Sequence, residues 1–220
     1  MTRTDEVARI FARYLVEVVE RHELCPWARG AREQRQIATA VLWGAPALDA
    51  WVTEAERLLA ADGTRVAIVI APELVTSRTA FRALRDQVAA RIPSAGVAEF
   101  FPLAPLDLST PARLVPFLRR SPDPMLQLVP LALIDAVRAQ PPPTAVLAQQ
   151  AAMLRGTAHA PAPGLGERIA LANHATAHAA HAAIAATLDD IAADRRASYA
   201  RVGIACGVDP GTGEPISESR

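Results

Sequence analysis

The chain contains no lysine; every one of its 23 basic side chains is arginine. The codon bias of a GC-rich genome accounts for that preference. With 23 acidic side chains the formal net charge is zero, and along the sequence the arginines are spread rather than clustered. A basic face able to neutralise phosphates is therefore not expected, which argues against nucleic acid or an anionic membrane as a partner. Aromatics make up 5% of the chain and alanine dominates its apolar half, which disfavours a β-sandwich and favours close-packed helices. There are two cysteines, Cys25 and Cys206, far apart in sequence. Without a disulfide framework, a reduced, cytoplasmic protein is the expectation. The start, Thr2-Arg3-Thr4-Asp5-Glu6, is polar and acidic, unlike a signal peptide. No apolar run approaches the ~20 residues of a membrane helix. Glycine-rich phosphate loops, Cys-x-x-Cys and Gly-x-Ser-x-Gly are also missing. Nucleotide, dithiol and serine-hydrolase chemistry thus have no local signature.

The 220 residues suffice for a sizeable core, and their patterning is mixed. Val7, Ile10, Phe11, Tyr14, Leu15 and Val18 mark one face of a helix that should stop before Cys25-Pro26. An arginine-rich connection, 29–35, follows. Ile37 to Trp43, Val66 to Ile70 and Val97 to Pro102 read as strands; 48–61 and 81–92 read as helices. Val66-Ala67-Ile68-Val69-Ile70 is apolar on both faces, as a covered central strand should be. This alternation predicts an α/β fold with a small, mostly parallel, three-stranded sheet flanked by helices. After Pro105, proline-punctuated loops lead through Met125-Leu126-Gln127-Leu128 into a helix ending near Arg138. Pro141-Pro142-Pro143 reads as a stiff corner, 145–154 as a helix, and 166–202 as one long alanine-rich helix. The expected division is an α/β body over 1–140, a helical C-terminal extension over 141–206 and a flexible tail over 207–220.

Three groups of residues are candidates for chemistry. Leu24-Cys25-Pro26-Trp27-Ala28-Arg29 and Arg120-Ser121-Pro122-Asp123-Pro124 hold reactive or charged side chains between prolines, which favours rigid, non-helical corners. Cys25 stands past a helix C-terminus, where the dipole disfavours thiolate; Arg29, Arg32 and Arg35 would oppose that. A catalytic or redox thiol, a metal or haem ligand and a packed turn residue all fit it. Arg120 offers a planar fork for carboxylate or phosphate, Ser121 a hydroxyl, and Asp123 an orienting carboxylate or a helix cap. Catalysis would fall to Cys25, Arg120 and Ser121, and substrate binding to Arg29, Arg120 and Asp123. The third group is His174, His178 and His181, on one side of the long helix. They lie about 70° from the stripe formed by Ile184, Leu188 and Ile191. Iron, zinc or haem are the cofactors such histidines would hold. One straight helix rarely closes a site alone, so His159, Glu167 or Asp107 would have to contribute. Asp189, Asp190 and Asp194 read more simply as a solvated face.

Leu24-Cys25-Pro26-Trp27-Ala28, Phe100-Phe101-Pro102 and Arg120-Ser121-Pro122-Asp123-Pro124-Met125-Leu126, in that order, resemble the bacterial domain-of-unknown-function family 1415. Its members read Leu-Cys-Pro-Phe-Ala, Phe-His-Pro and Asn-Arg-Ser-Pro-Tyr-Pro-Met-Leu-His-Leu. The resemblance spans roughly residues 7 to 155. Cys25, Pro26, Arg120, Ser121, Pro122 and Pro124 match; Phe101 and Gln127 stand where the family has histidines, and Pro130-Leu131 replaces its Arg-Glu. The resemblance implies a location for the site rather than an activity. It makes His174, His178 and His181 candidate replacements for the missing histidines.

These readings lead to two functional expectations. One is a small-molecule enzyme that binds an anionic substrate through arginine near the C-terminal ends of the strands, with or without a metal or haem. The other is a non-catalytic assembly protein whose long helix packs against a second copy in a homodimer.

Overall fold

The computed structural model describes residues 2–139 and 164–208. Helix α1, Arg3–Tyr14, opens with a capping box: Thr2 Oγ1 accepts from the Asp5 amide, and Asp5 Oδ2 accepts from the Thr2 amide. It continues as a π-helical stretch, Leu15–Glu20. The chain turns at Leu24-Cys25-Pro26 into the short helix α2, Ala28–Glu33, within the segment expected to be an irregular connection. Strand β1 (Ile37–Val41), helix α3 (Leu48–Ala60), strand β2 (Val66–Ile70), helix α4 (Arg78–Arg91) and strand β3 (Ala95–Phe100) follow. Helix α5, Pro111–Leu118, lies where only loops were expected. Thr110 caps it and Pro111 fills its first turn, where proline's missing N–H costs nothing. Strand β4 (Met125–Pro130), helix α6 (Leu131–Ala139) and the long helix α7 (Leu165–Val202) complete the order. Gly203, at φ 70°, ends α7 in the left-handed conformation glycine adopts readily.

The fold is α/β, but the sheet differs from the expected one. It has four strands in the order β1-β2-β4-β3; β1 and β2 pair in parallel, and β4 alone is reversed, so that β1, β2 and β3 run in one direction. Strand β4 runs antiparallel between β2 and β3, pairing Gln127 with both Ile68 and Ala98. Its alternation explains the placement. Leu126 and Leu128 join the cluster of Val69, Phe81 and Val88 under α3 and α4, while Met125 joins the opposite cluster. The sheet therefore has helices α3 and α4 on one face and α1 and α7 on the other.

Helix α7 is integral to that second core. Ile184, Leu188 and Ile191 share one cluster with Val7, Ile10, Ile68 and Ile70. Ion pairs fix its angle on α1: Arg9 grips Asp194 with two hydrogen bonds of 2.8 Å, and Arg13 reaches Asp194 at 2.6 Å and Asp190 at 2.7 Å. Asp190 and Asp194 are thus docking residues rather than a purely solvated face. Beyond α7 the chain returns over the 71–74 loop. The Gly207 amide donates to Pro72 O at 3.0 Å, and a Cβ at Gly207 would lie 2.2 Å from Leu74 O. Val208 is buried. The expected helix 145–154, the proline corner at 141–143 and most of the tail lie outside the described residues. Among the described residues, no helix is long and apolar enough to cross a membrane.

Candidate functional site

An elongated, mostly apolar cavity of about 310 Å³ lies over the sheet, between the first helix, α5 and α7. Each wall has a traceable origin. The π-helical stretch presents Leu15 and Val19, the Cys-Pro corner presents Cys25 and Trp27, and the sheet floor is Ile68, Phe100 and Met125. Single-turn π segments recur at functional sites because the wider turn redirects side chains. Here the widening is visible in the Leu24 amide, which donates to Val19 O at 2.9 Å, five residues back.

Few polar groups reach this cavity: Tyr14, Cys25, Arg119, Gln127 and Asn173. Tyr14 is 2% exposed, and its hydroxyl has no hydrogen-bond partner among the described residues. Such a group costs about 1–3 kcal/mol relative to a satisfied or solvated one. Burial raises the Tyr14 pKa, with a contribution from nearby Cys25 that outweighs the opposing Arg119. The hydroxyl therefore keeps its proton and can donate it in a hydrogen bond. Burial likewise raises the Cys25 pKa, partly opposed by the amides of Trp27 and Ala28. Cys25 is thus a neutral thiol at pH 7, not a primed nucleophile. The expected arginine support is directed elsewhere. Arg32 binds Glu20 at 2.6 and 3.0 Å, and Arg29 lies 3.7 Å from the same carboxylate. Asn173 donates to Leu24 O at 3.1 Å, tying α7 to the Cys-Pro corner.

The Arg-Ser-Pro-Asp-Pro segment does not join Cys25 in this cavity. Asp123 is buried and accepts at Oδ1 from Arg195 Nε at 2.7 Å and at Oδ2 from the Tyr199 hydroxyl at 2.7 Å. Arg195 also donates to Val208 O and Pro72 O. Ser121 Oγ donates to Asp123 O at 2.6 Å, closing the turn. Ser121 and Asp123 thus anchor the loop to α7. Arg120 lies 3.7 Å from Asp189, with its guanidinium 5.9 Å from the Phe117 ring centre. The arginine that reaches the cavity is its neighbour, Arg119. Arg29 is exposed and faces Glu20.

The histidines are engaged locally. His174 Nε2 donates to Leu108 O at 2.8 Å, and His181 Nδ1 donates to Ala177 O at 3.0 Å. His178 packs edge-on against His174, ring centres 4.6 Å apart. Each carbonyl bond occupies one ring nitrogen with a proton, leaving one nitrogen per ring for a metal. Among the described residues, no group of three or more His, Cys, Asp or Glu side chains is placed to hold a metal ion; His159 lies outside them.

A second cavity, about 230 Å³, opens on the other side of Arg119. It is lined by Arg78, Arg82 and Arg85 of α4, by Arg119 and by Glu99 of β3. The arginines that looked dispersed in the sequence are gathered here by the fold. The signal available was the spacing 78, 82, 85, which places three arginines on one helical face. Tyr14 left no comparable signal, because periodicity marks it only as a core position.

The site also differs from the expected position at the C-terminal strand ends. The C-terminal ends of β1, β2 and β3 share one edge, but the apolar cavity lies across the sheet's face and reaches Ile37 and Val66 at the opposite ends of their strands. Compared with protein-family models, curated proteins and solved structures, the chain matches none.

Proposed function

We propose that the protein is a small-molecule enzyme whose anionic substrate lodges its apolar body in the cavity beneath α7. Arg119 serves as the charge anchor and Tyr14 as the hydrogen-bond donor to a substrate oxygen. The observation that carries this reading is Tyr14: its hydroxyl is buried, protonated and unpartnered among the described residues, and the residue lines an apolar cavity. Pockets built this way use apolar walls for affinity and a few polar groups for orientation. Cys25, a neutral thiol beside the same space, is a further contact rather than the attacking group. Of the residues that match the family-1415 motifs, Cys25 lines the cavity, whereas Arg120 and Ser121 do not. The assembly reading has less support, because Ile184, Leu188 and Ile191 are spent in the chain's own core.

Calorimetric titration with straight-chain carboxylates from butanoate to octanoate tests the proposal. Each methylene buried contributes about 0.8 kcal/mol, so affinity should rise about fourfold per carbon until the cavity is full. Arg119→Gln should weaken the whole series. Affinity independent of chain length, or unchanged by Arg119→Gln, would overturn the assignment.

A further inference from the structure

We infer that the cavity lined by Arg78, Arg82, Arg85, Arg119 and Glu99, which meets the apolar cavity at Arg119 and Val115, is a binding site for a phosphate group. The cavity's lining holds four guanidiniums and one carboxylate, and Arg85 also lies 3.2 Å from the exposed Asp86. Glu99 lies 3.4 Å from Arg82, 3.2 Å from Arg85 and 3.7 Å from Arg119, so one negative charge is shared three ways. Arg78 has no ion-pair partner among the described residues. Arg85 Nε and Glu99 Oε2, though close, are not aligned to hydrogen-bond, and both are buried without a partner.

The helix makes this charge excess more costly. Arg78 and Arg82 lie in the first turns of α4, and its first turn has no acidic residue. A cation in the first turn, as Arg78 is, opposes the helix dipole by about 0.3–1 kcal/mol. An anion bound between Arg78 and Arg82 would reverse the sign of that interaction. Burial separately lowers the pKa of Arg78 and of Arg119, as expected for cations held short of counter-charge. Three arginines from one helix face and a fourth from the end of α5 approach from different directions, which suits a tetrahedral oxyanion better than a planar carboxylate. A dianion also offsets more of the excess than a monoanion.

The inference does not rest on the proposed function, and Arg78 lies outside the apolar cavity. Titration of the full chain with inorganic phosphate and with phenyl phosphate, at constant ionic strength against chloride, tests it. Saturable phosphate binding is expected, at least tenfold weaker in Arg78→Ala and tighter in Glu99→Gln. Tighter binding of phenyl phosphate than of inorganic phosphate would assign the site to a phosphate ester, and the reverse order to free phosphate. Octanoate binding should be the same in Arg78→Ala as in the wild type, so this site and the apolar one can fail independently. Phosphate binding no stronger than chloride binding, or unchanged by Arg78→Ala, would overturn the inference.

Discussion

Replacing Tyr14 with phenylalanine should stabilise the protein while weakening its binding site. The ring is 2% exposed and sits in the core with Val7, Ile10 and Val18, so the substitution leaves the packing intact. Only the unpartnered hydroxyl is removed. Leaving a buried hydroxyl unsatisfied costs about 1–3 kcal/mol, and the substitution should recover about 1 kcal/mol of that. In a chain of this size, 1 kcal/mol corresponds to a rise of about 2–4 °C in Tm. Urea unfolding provides a second readout, with a higher midpoint at unchanged slope. Octanoate affinity should fall about fivefold, the equivalent of 1 kcal/mol. Such opposition between stability and binding is expected where a site retains a polar group that folding alone does not need. A loss of 1 kcal/mol or more of stability in Tyr14→Phe would refute the reasoning, because it would mean that the hydroxyl has a partner in the folded protein.

Three other outcomes follow from the geometry. Tyr199→Phe should cost about 1.5–3 kcal/mol, because it removes a hydrogen bond to the buried Asp123 carboxylate, and Asp123→Ala more, about 3–5 kcal/mol, by leaving Arg195 buried and unpaired; urea titration of each variant measures this. Arg9 and Arg13 hold the Asp194 carboxyl at a pKa of about 2, below its ordinary 3.8. A depressed pKa contributes stability above the unfolded value that is lost as pH falls through the folded one, so Asp194→Asn should flatten the stability profile between about pH 4 and pH 2. Cys25, with its raised pKa, should react with iodoacetamide at pH 7 more slowly than free cysteine, as followed by mass spectrometry of its peptide.

Local pattern made some elements legible and could not reach others. Val66–Ile70 was evident as a short run of β-formers apolar on both faces, and the long helix ending at Val202 as an alanine-rich stretch unbroken by proline. Strand β4 was not, because Met125–Pro130 is a short apolar run that leads directly into helix α6. Its insertion between β2 and β3 depends on pairings between distant segments, which no local window contains. The proline corner drew attention to Cys25, which lines the apolar cavity. The same logic misassigned Asp123, whose rigid turn serves to receive Arg195 and Tyr199 from a helix some 70 residues later. Tyr14 was read only as one apolar position among six. That the residue also lines a cavity follows from where α5 and α7 leave the sheet uncovered.

The most direct test of the central claim is the rate of Cys25 alkylation with and without saturating octanoate, read on the Cys25 and Cys206 peptides separately. A ligand in the apolar cavity covers Cys25, so its rate should drop severalfold while that of Cys206 stays constant. An unchanged Cys25 rate at saturating octanoate would place the ligand elsewhere and contradict the account.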